Sequence, residues 1–291
     1  MSKQNNLILP TQNHIPPRES FPHIWVETCV RFLRDLRKYW EYITFAAKAE
    51  LKDEVAGSIL GWIWWILDPL FFMMVYTFVV QYVFHSGGKD FPIFVFIGLT
   101  AWNLFNSTIT SSVKIISSYR AIISKVYMPK YVLILVRLYK NIIKMAISFC
   151  LVFVLMYFFK VKYSWQIIYI IPTLITTIII TFDISVLVAH IGVFIKDFSN
   201  IMEVILRFLF YVSGVLFSIS QKLPPLYQKL VFLFDPISFM IEAYRDSIMY
   251  HHFPNWHYLV YWFVVGIIGC VLSLSIMYKY ENTYIKMVQN G

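Results

Sequence analysis

The sequence predicts an all-α integral membrane protein with about six transmembrane helices, and three observations carry that prediction. Of 291 residues, 59% are hydrophobic and only 14% charged, with a mean hydropathy of +0.64, whereas a soluble domain carries about a quarter charged residues. The apolar runs are continuous and long enough to cross a hydrocarbon core of about 30 Å. They also lack the short alternating strands of a lipid-facing barrel, so the backbone must find its hydrogen bonds inside helices.

The elements follow in order. Residues 1–20 are polar, hold Pro10, Pro16 and Pro17, and have no apolar signal region; they read as a disordered cytoplasmic tail. Residues 21–286 read as one membrane domain and 287–291 as a second short cytoplasmic tail. Within 21–42, Trp25, Cys29, Phe32, Leu33, Leu36 and Tyr39/Trp40 recur at helical spacing, with Glu27, Arg31, Arg34, Asp35 and Lys38 on the other face. That pattern suits an amphipathic helix lying in the membrane interface. Spans are expected at about 61–84, 91–113, within 132–159, 167–195, 202–219 and 258–278. Between the last two, Leu226–Phe234 is apolar but too short to cross. Asp235-Pro236 then breaks the helix and starts another, with Asp as N-cap and Pro at the first helical position. Two short helices joined there predict a re-entrant pair within 221–253, a backbone tolerated in a membrane only where protein or water surrounds it.

Orientation follows from Lys and Arg. Eighteen of the 25 basic residues fall on the side that holds the N-terminus, which makes both termini cytoplasmic and the protein a multi-pass component of the cytoplasmic membrane. This distribution also explains the net charge of +9 without a nucleic-acid partner. Cys29, Cys150 and Cys270 are scattered, which fits small core residues better than disulfides or a zinc site.

The chain has no GxxxxGK[ST] phosphate loop, no HExxH, no GxSxG and no CxxC, so neither ATP binding nor catalysis by this chain alone is expected. His251, His252 and His257 form a histidine cluster that reads as an interfacial polar patch, with no metal site expected. Polar residues inside spans are costly and point to function. Asp68 lies in the first span, Asn103, Asn106, Ser107, Thr108, Thr110, Ser111 and Ser112 stud the second, Asp183 and His190 lie in the fourth, and Glu203 and Arg207 stand four apart in the fifth. They trace a polar pathway or else interhelical hydrogen bonds and local pairing. With the aromatic first span, whose rings can stack on sugar faces, they nominate Trp62, Trp65, Asp68, Phe72, Tyr76, Asn103 and Asn106 as a substrate path.

The stretches Leu60–Phe84 (LGWIWWILDPLFFMMVYTFVVQYVF), Phe91–Phe105, Ser124–Leu135 (SKVYMPKYVLIL), Phe194–Ser220 and Asp235–Met249 resemble, in the same order, permease subunits of type-2 ABC exporters. Within that family the chain is similar to the exporters of lipid-linked O-antigen, capsular polysaccharide and teichoic acid. The resemblance implies a homodimer in a bacterial cytoplasmic membrane, bound to two copies of a separate cytoplasmic ATPase subunit and moving a lipid-linked glycan polymer among membrane lipids. It implies no cofactor on this chain, with ATP and Mg on the partner. Segment 119–131 would be the coupling loop, with Lys125, Tyr127, Met128, Pro129 and Lys130 as contacts to the ATPase. Segment 221–253 would form the external gate helices, with Asp235, Pro236, Glu242, Tyr244 and Arg245 at the gate. Relatives carry a basic RYRGS-like run before the first span; here Lys52-Asp53-Glu54-Val55-Ala56-Gly57-Ser58 introduces two acids, which weakens the case for lipid-phosphate contacts there. A membrane enzyme acting on lipid-linked sugars and a drug or small-lipid exporter of the same superfamily are the alternative expectations.

Overall fold

The computed structural model describes residues 21–119, 128–281, 283, 284 and 287, with side chains from residue 25 onward. The described residues are helical with no strand. In chain order the helices are α1 (Phe21–Val55), α2 (Trp64–Phe78), α3 (Phe91–Val113), α4 (Ile115–Ser118), α5 (Tyr131–Phe159), α6 (Ile170–Phe194), α7 (Phe198–Val212), α8 (Ile219–Lys222), α9 (Pro225–Phe234), α10 (Pro236–Arg245) and α11 (Trp256–Lys279). A 3-10 turn, Gly61–Ile63, leads into α2 and a π turn, Val79–Val83, ends it. Another 3-10 turn, Trp165–Tyr169, leads into α6.

Five stretches among the described residues are long and apolar enough to cross a membrane: Gly61–Val83, Phe91–Val113, Tyr131–Phe159, Trp165–Phe194 and Trp256–Lys279. The expected fifth span, 202–219, is a correction. Its helix is α7, which stops at Val212 after 15 residues, about 22 Å at 1.5 Å per residue. The chain breaks because Gly214 adopts a left-handed φ of 73°, a conformation that glycine reaches without steric cost.

α3 is the central helix. It packs on α2, α5, α6, α7 and α10, and Ile93, Val95, Phe96, Ile97 and Ala101 are fully buried. α2, in contrast, exposes Phe71, Phe72, Met74, Val75 and Phe78. The sequence reason is its composition: apolar residues surround α2, so no single face is dedicated to the core. Pro69 sits inside α2 and has no N–H for the Trp65 carbonyl one turn back, which weakens the helix there.

α1 is longer than the interfacial helix predicted for 21–42 and runs unbroken to Val55. Its inward face is Thr28, Asp35, Ile43, Ala47 and Leu51, all buried. Asp35 was expected on the outer polar face, but it accepts a hydrogen bond from Tyr131 OH at 2.9 Å. Of the predicted apolar stripe, Phe32, Leu36 and Tyr39 pack on the core, while Trp25, Leu33 and Trp40 are exposed beside Val26, Val30 and Phe45. The free cysteines also depart from expectation: Cys29 and Cys150 are exposed, and only Cys270 is partly buried.

The break after α7 is held by Arg245, the last residue of α10, which has no exposed surface. Its guanidinium donates to the carbonyls of Gly214 and Val215 at 2.7 Å each and to Phe94 at 3.2 Å. It lies 3.4 Å from the Phe94 ring centroid and pairs with Glu242 at 3.6 Å. Gly98 makes room for it, since a Cβ there would stand 2.6 Å from Nη2 and 3.0 Å from the Val215 carbonyl oxygen. Asp235 works from the other end of α10. It caps the helix through the Ile237 N–H at 3.2 Å and accepts from Ser213 Oγ at 2.6 Å.

Arg245→Met fills the space but leaves those carbonyls without donors, an expected loss of roughly 3–5 kcal/mol by analogy with broken buried charge networks. Arg245→Lys recovers only part, because one ammonium cannot reproduce the planar fork. Thermal unfolding of the purified protein in detergent should rank wild type above Lys above Met; equal midpoints would remove Arg245 from this role.

Candidate functional site

A cavity of about 960 Å³ opens between α2, α3, α5 and α7. Of the seven residues nominated for a substrate path, Trp65, Asp68, Phe72, Tyr76, Asn103 and Asn106 all line it. Trp62 does not; it is exposed on the turn before α2.

The cavity's polar wall comes from α3. Asn103, Asn106, Ser107 and Thr110 line it, and their i, i+3, i+4, i+7 spacing makes one helical face. The stripe read as one feature therefore divides. Thr108 and Ser112 are buried on the other side. There Thr108 donates to the Leu104 carbonyl at 2.7 Å, Ser112 donates to the Thr108 carbonyl at 2.7 Å, and Asn141 of α5 donates to Thr108 Oγ1 at 2.9 Å. In that half the Asn141–Thr108 bond ties α3 to α5 while Ser112 bonds within its own helix; the other half faces open space.

Aromatic rings supply the rest of the wall. Tyr76 and Phe210 lie 5.9 Å apart between centroids, Trp102 and Phe210 5.4 Å, and Phe72 and Tyr76 stack at 6.4 Å. On α7, Glu203 and Arg207 form the expected i, i+4 ion pair, yet both line the cavity and keep 57% and 72% of their side chains exposed. Such groups cannot face lipid cheaply, so this side of the bundle meets water or a polar partner.

At the cavity mouth a charge network joins the end of α1 to the first half of α5. Arg137 pairs with Glu50 at 2.7 Å, Lys140 with Glu54 at 2.7 Å and with Glu50 at 3.5 Å, and Lys144 with Glu54. Tyr119 donates to Glu50; burial and that hydrogen bond push its phenol up to about 12. Glu54, one of the two acids that set this chain apart from the RYRGS-like pattern, thus partners α5. Sequence reasoning missed the network, although Glu50/Glu54 on α1 and Lys140/Lys144 on α5 share a spacing of four, the register by which two packed helices meet.

The cavity is walled by α2, the later turns of α3, the middle of α5 and the middle and end of α7. α10 packs instead against the first turns of α3, and α9 packs on α10. Trp262 Nε1 of α11 donates to the Phe232 carbonyl at 2.9 Å, and Tyr244 OH lies 3.1 Å from Thr177 Oγ1 of α6. Glu242 accepts from Ser218 Oγ at 2.6 Å. Of the gate residues implied by the resemblance, Glu242, Tyr244 and Arg245 are buried and tie the short helices to their neighbours, while Glu242 also lines a smaller cavity of about 240 Å³ with Asp246 and Tyr258. Pro236 starts α10 and Asp235 caps it.

Of the implied coupling contacts, Lys125 and Tyr127 lie outside the described residues. Met128 and Lys130 are 6% and 2% exposed within the single chain. Lys130 is turned inward because Nζ donates to the Met128 carbonyl at 3.2 Å and pairs with Glu281 at 3.7 Å. Burial holds its pKa below the ordinary lysine value, with Glu281 opposing. Asp183 lies away from the cavity, against α11, where a Cβ on Gly269 would overlap its carboxylate. His190 Nδ1 lies 2.6 Å from Tyr284 OH.

A helical membrane protein with a cavity walled by rings, amides and hydroxyls has the form of a transport subunit. The chain belongs to the ABC-2 type transporter family, whose model matches residues 44–249, and is a transporter component rather than an enzyme. It is similar to the O-antigen export system permease protein RfbA of Klebsiella pneumoniae, 24% identical over 266 residues covering 89% of this chain and 99% of that one. RfbA of Myxococcus xanthus is 25% identical over 226 residues, 78% and 87% of the two chains. The polysialic acid transport protein KpsM of Escherichia coli is 21% identical over 211 residues, 69% and 78%.

The network at the cavity mouth has a pH signature. Burial pushes the Glu54 carboxyl up, but hydrogen bonds and charge from Lys140 and Lys144 outweigh it and leave the group below its ordinary value. A carboxylate lowered by folding stabilises the protein above its unfolded pKa, about 4.3, and loses that contribution as pH falls through the folded value. Glu54→Gln should therefore unfold below the wild-type temperature at pH 7 and converge with wild type on acidification. A gap that widens in acid contradicts the assignment.

Proposed function

We propose that this chain is the transmembrane subunit of an ATP-driven exporter that carries a lipid-linked cell-surface polysaccharide across the bacterial cytoplasmic membrane. ATP and Mg would be held and used by a separate cytoplasmic subunit. The names of the relatives favour the O-antigen and capsular branches over teichoic acid. The observation that carries the reading is the cavity: rings from α2, α3 and α7 offer flat apolar faces, and the Asn103–Thr110 face offers the amides and hydroxyls that hydrogen-bond a sugar chain.

Two copies are proposed to face one another across this cavity, each closing the other's open side. The exposed Glu203–Arg207 pair and the uncovered apolar face of α2 support this, because neither is finished within one chain. With the N-terminus in the cytoplasm, the cavity opens inward and α9 and α10 close the outside. α7 then makes the remaining crossing together with the broken chain held by Arg245, which keeps both termini on the cytoplasmic side.

The test is reconstitution with an ATPase subunit that co-purifies with the chain, followed by ATP-dependent export of polymer. Trp65→Ala and Asn106→Leu should each lower export several-fold while the complex still assembles. Export at wild-type rates in both variants would take the cavity off the path, and polymer chemistry catalysed without ATP would replace transport by enzymology.

A further inference from the structure

The smaller cavity, of about 240 Å³, forms where α9, α10 and the start of α11 meet, and it shares no lining residue with the larger one. Three rings build its floor, one from each helix: Phe232, Phe239 and Tyr258. Phe232 lies 5.8 Å from Phe239 and 5.8 Å from Tyr258, and Phe239 lies 5.7 Å from Tyr258, between centroids. Phe232 and Phe239 are buried, so the half-buried Tyr258 offers the accessible ring. Trp262, one turn further along α11, donates to the Phe232 carbonyl at 2.9 Å and holds α9 and α11 in this register.

Polar groups surround the rings. Glu242 on α10 and Asp246, in the π turn Asp246–Tyr250 that follows it, stand four apart and both line the cavity. Glu242 is committed: it accepts from Ser218 Oγ at 2.6 Å and pairs with Arg245 at 3.6 Å. Asp246 is not, since its carboxyl accepts no hydrogen bond among the described residues. Gln228 and Asn255 add two amides to the wall and Lys229 adds an ammonium. The Asn255 oxygen accepts from the His257 N–H at 3.2 Å, which leaves its NH2 for another acceptor.

This wall discriminates between ligands. An acyl chain would cover the Asp246 carboxyl without giving it a donor, which a polar group resists. Lys229 stands against two carboxyls, so there is no surplus of positive charge for a phosphate or an acidic sugar. No group of three His, Cys, Asp or Glu side chains assembles for a metal ion among the described residues. A neutral sugar matches every part: its hydroxyls donate to Asp246 and accept from the amides, and its C–H face lies on an aromatic ring. The volume falls below the roughly 300 Å³ at which pockets for drug-sized ligands begin, which suits a sugar unit and not a long stretch of chain.

Resting on the transport reading above, we propose that this cavity is a second station for the polymer, a subsite that takes one neutral sugar unit through Asp246, Gln228 and Asn255 with Tyr258 as its stacking ring.

The experiment follows acylation of Lys229, an exposed amine on the cavity wall, by mass spectrometry of the full chain in lipid nanodiscs. The probe is a set of oligosaccharides cut from the source cell's own surface polymer, with inorganic phosphate as the comparison. Labelling of Lys229 should slow about tenfold at ten times the dissociation constant of the oligosaccharide, by mass action, and phosphate should leave it unchanged. Asp246→Asn and Gln228→Leu should keep the wild-type unfolding temperature. Asp246→Asn removes a charged acceptor and should need about tenfold more oligosaccharide for the same protection; Gln228→Leu should need several-fold more. Unprotected Lys229 in the wild type would overturn the proposal, as would equal protection of the wild type and both variants, or protection by phosphate at the same concentrations. ATP-driven export by the complex, measured in parallel, separates the two readings: export without protection removes the subsite alone, and protection without export removes transport while the sugar site stands.

Discussion

The fold depends on how an apolar environment treats an interrupted helix. After Val212 the chain leaves helical geometry, and the carbonyls of Gly214 and Val215 lose their partners where water is scarce. Arg245 answers both with one planar group and reaches Phe94 on the central helix with the same fork. Five donors in a fixed plane are what this geometry needs. Everything on that side follows from it. Gly98 must lack a side chain, and α10 must lie against α3 and α6.

The two halves of the bundle are therefore built on different terms. One half is packed shut around Arg245, Tyr244 and Phe149, whose ring lies 5.3 Å from that of Tyr244. The other half is left open, and its polar groups are held by ion pairs at the rim rather than buried. α3 serves both, with its first turns enclosed by α10 and its later turns divided between Thr108 and Ser112 inside and Asn103, Asn106, Ser107 and Thr110 at the cavity.

Much of this was legible in the sequence. The span Phe91–Val113 could be read to its end residues, and Asp235-Pro236 marked the joint between α9 and α10, because proline and a capping carboxylate act locally. Six of seven nominated path residues reach one cavity, because polar and aromatic residues within a span at helical spacing share a face. Long-range pairing was not legible. Asp35 looked like one more outer charge on an amphipathic helix until Tyr131, 96 positions away, supplied its donor. The gate role of Arg245 and the docking role of Lys130 came only from the resemblance, and neither the carbonyls that Arg245 meets nor the Glu281 partner of Lys130 is visible in sequence. The end of α7 was missed because Ser213-Gly214 weakens a helix without forbidding it.

The rim and walls of the cavity have one further consequence. Glu54, Asp68, Glu203, Lys144 and Arg207 line it, and each of the two cations is bound to a carboxylate on the wall. The cavity thus presents local dipoles and little net field. A long chain with repeating units would find no deep well at any one station, only shallow and similar contacts that are made and broken in turn, as conduction through a pore requires. On the proposed reading, such a surface would resist motion weakly and favour no particular repeat, as a low-friction sleeve would and a binding pocket would not.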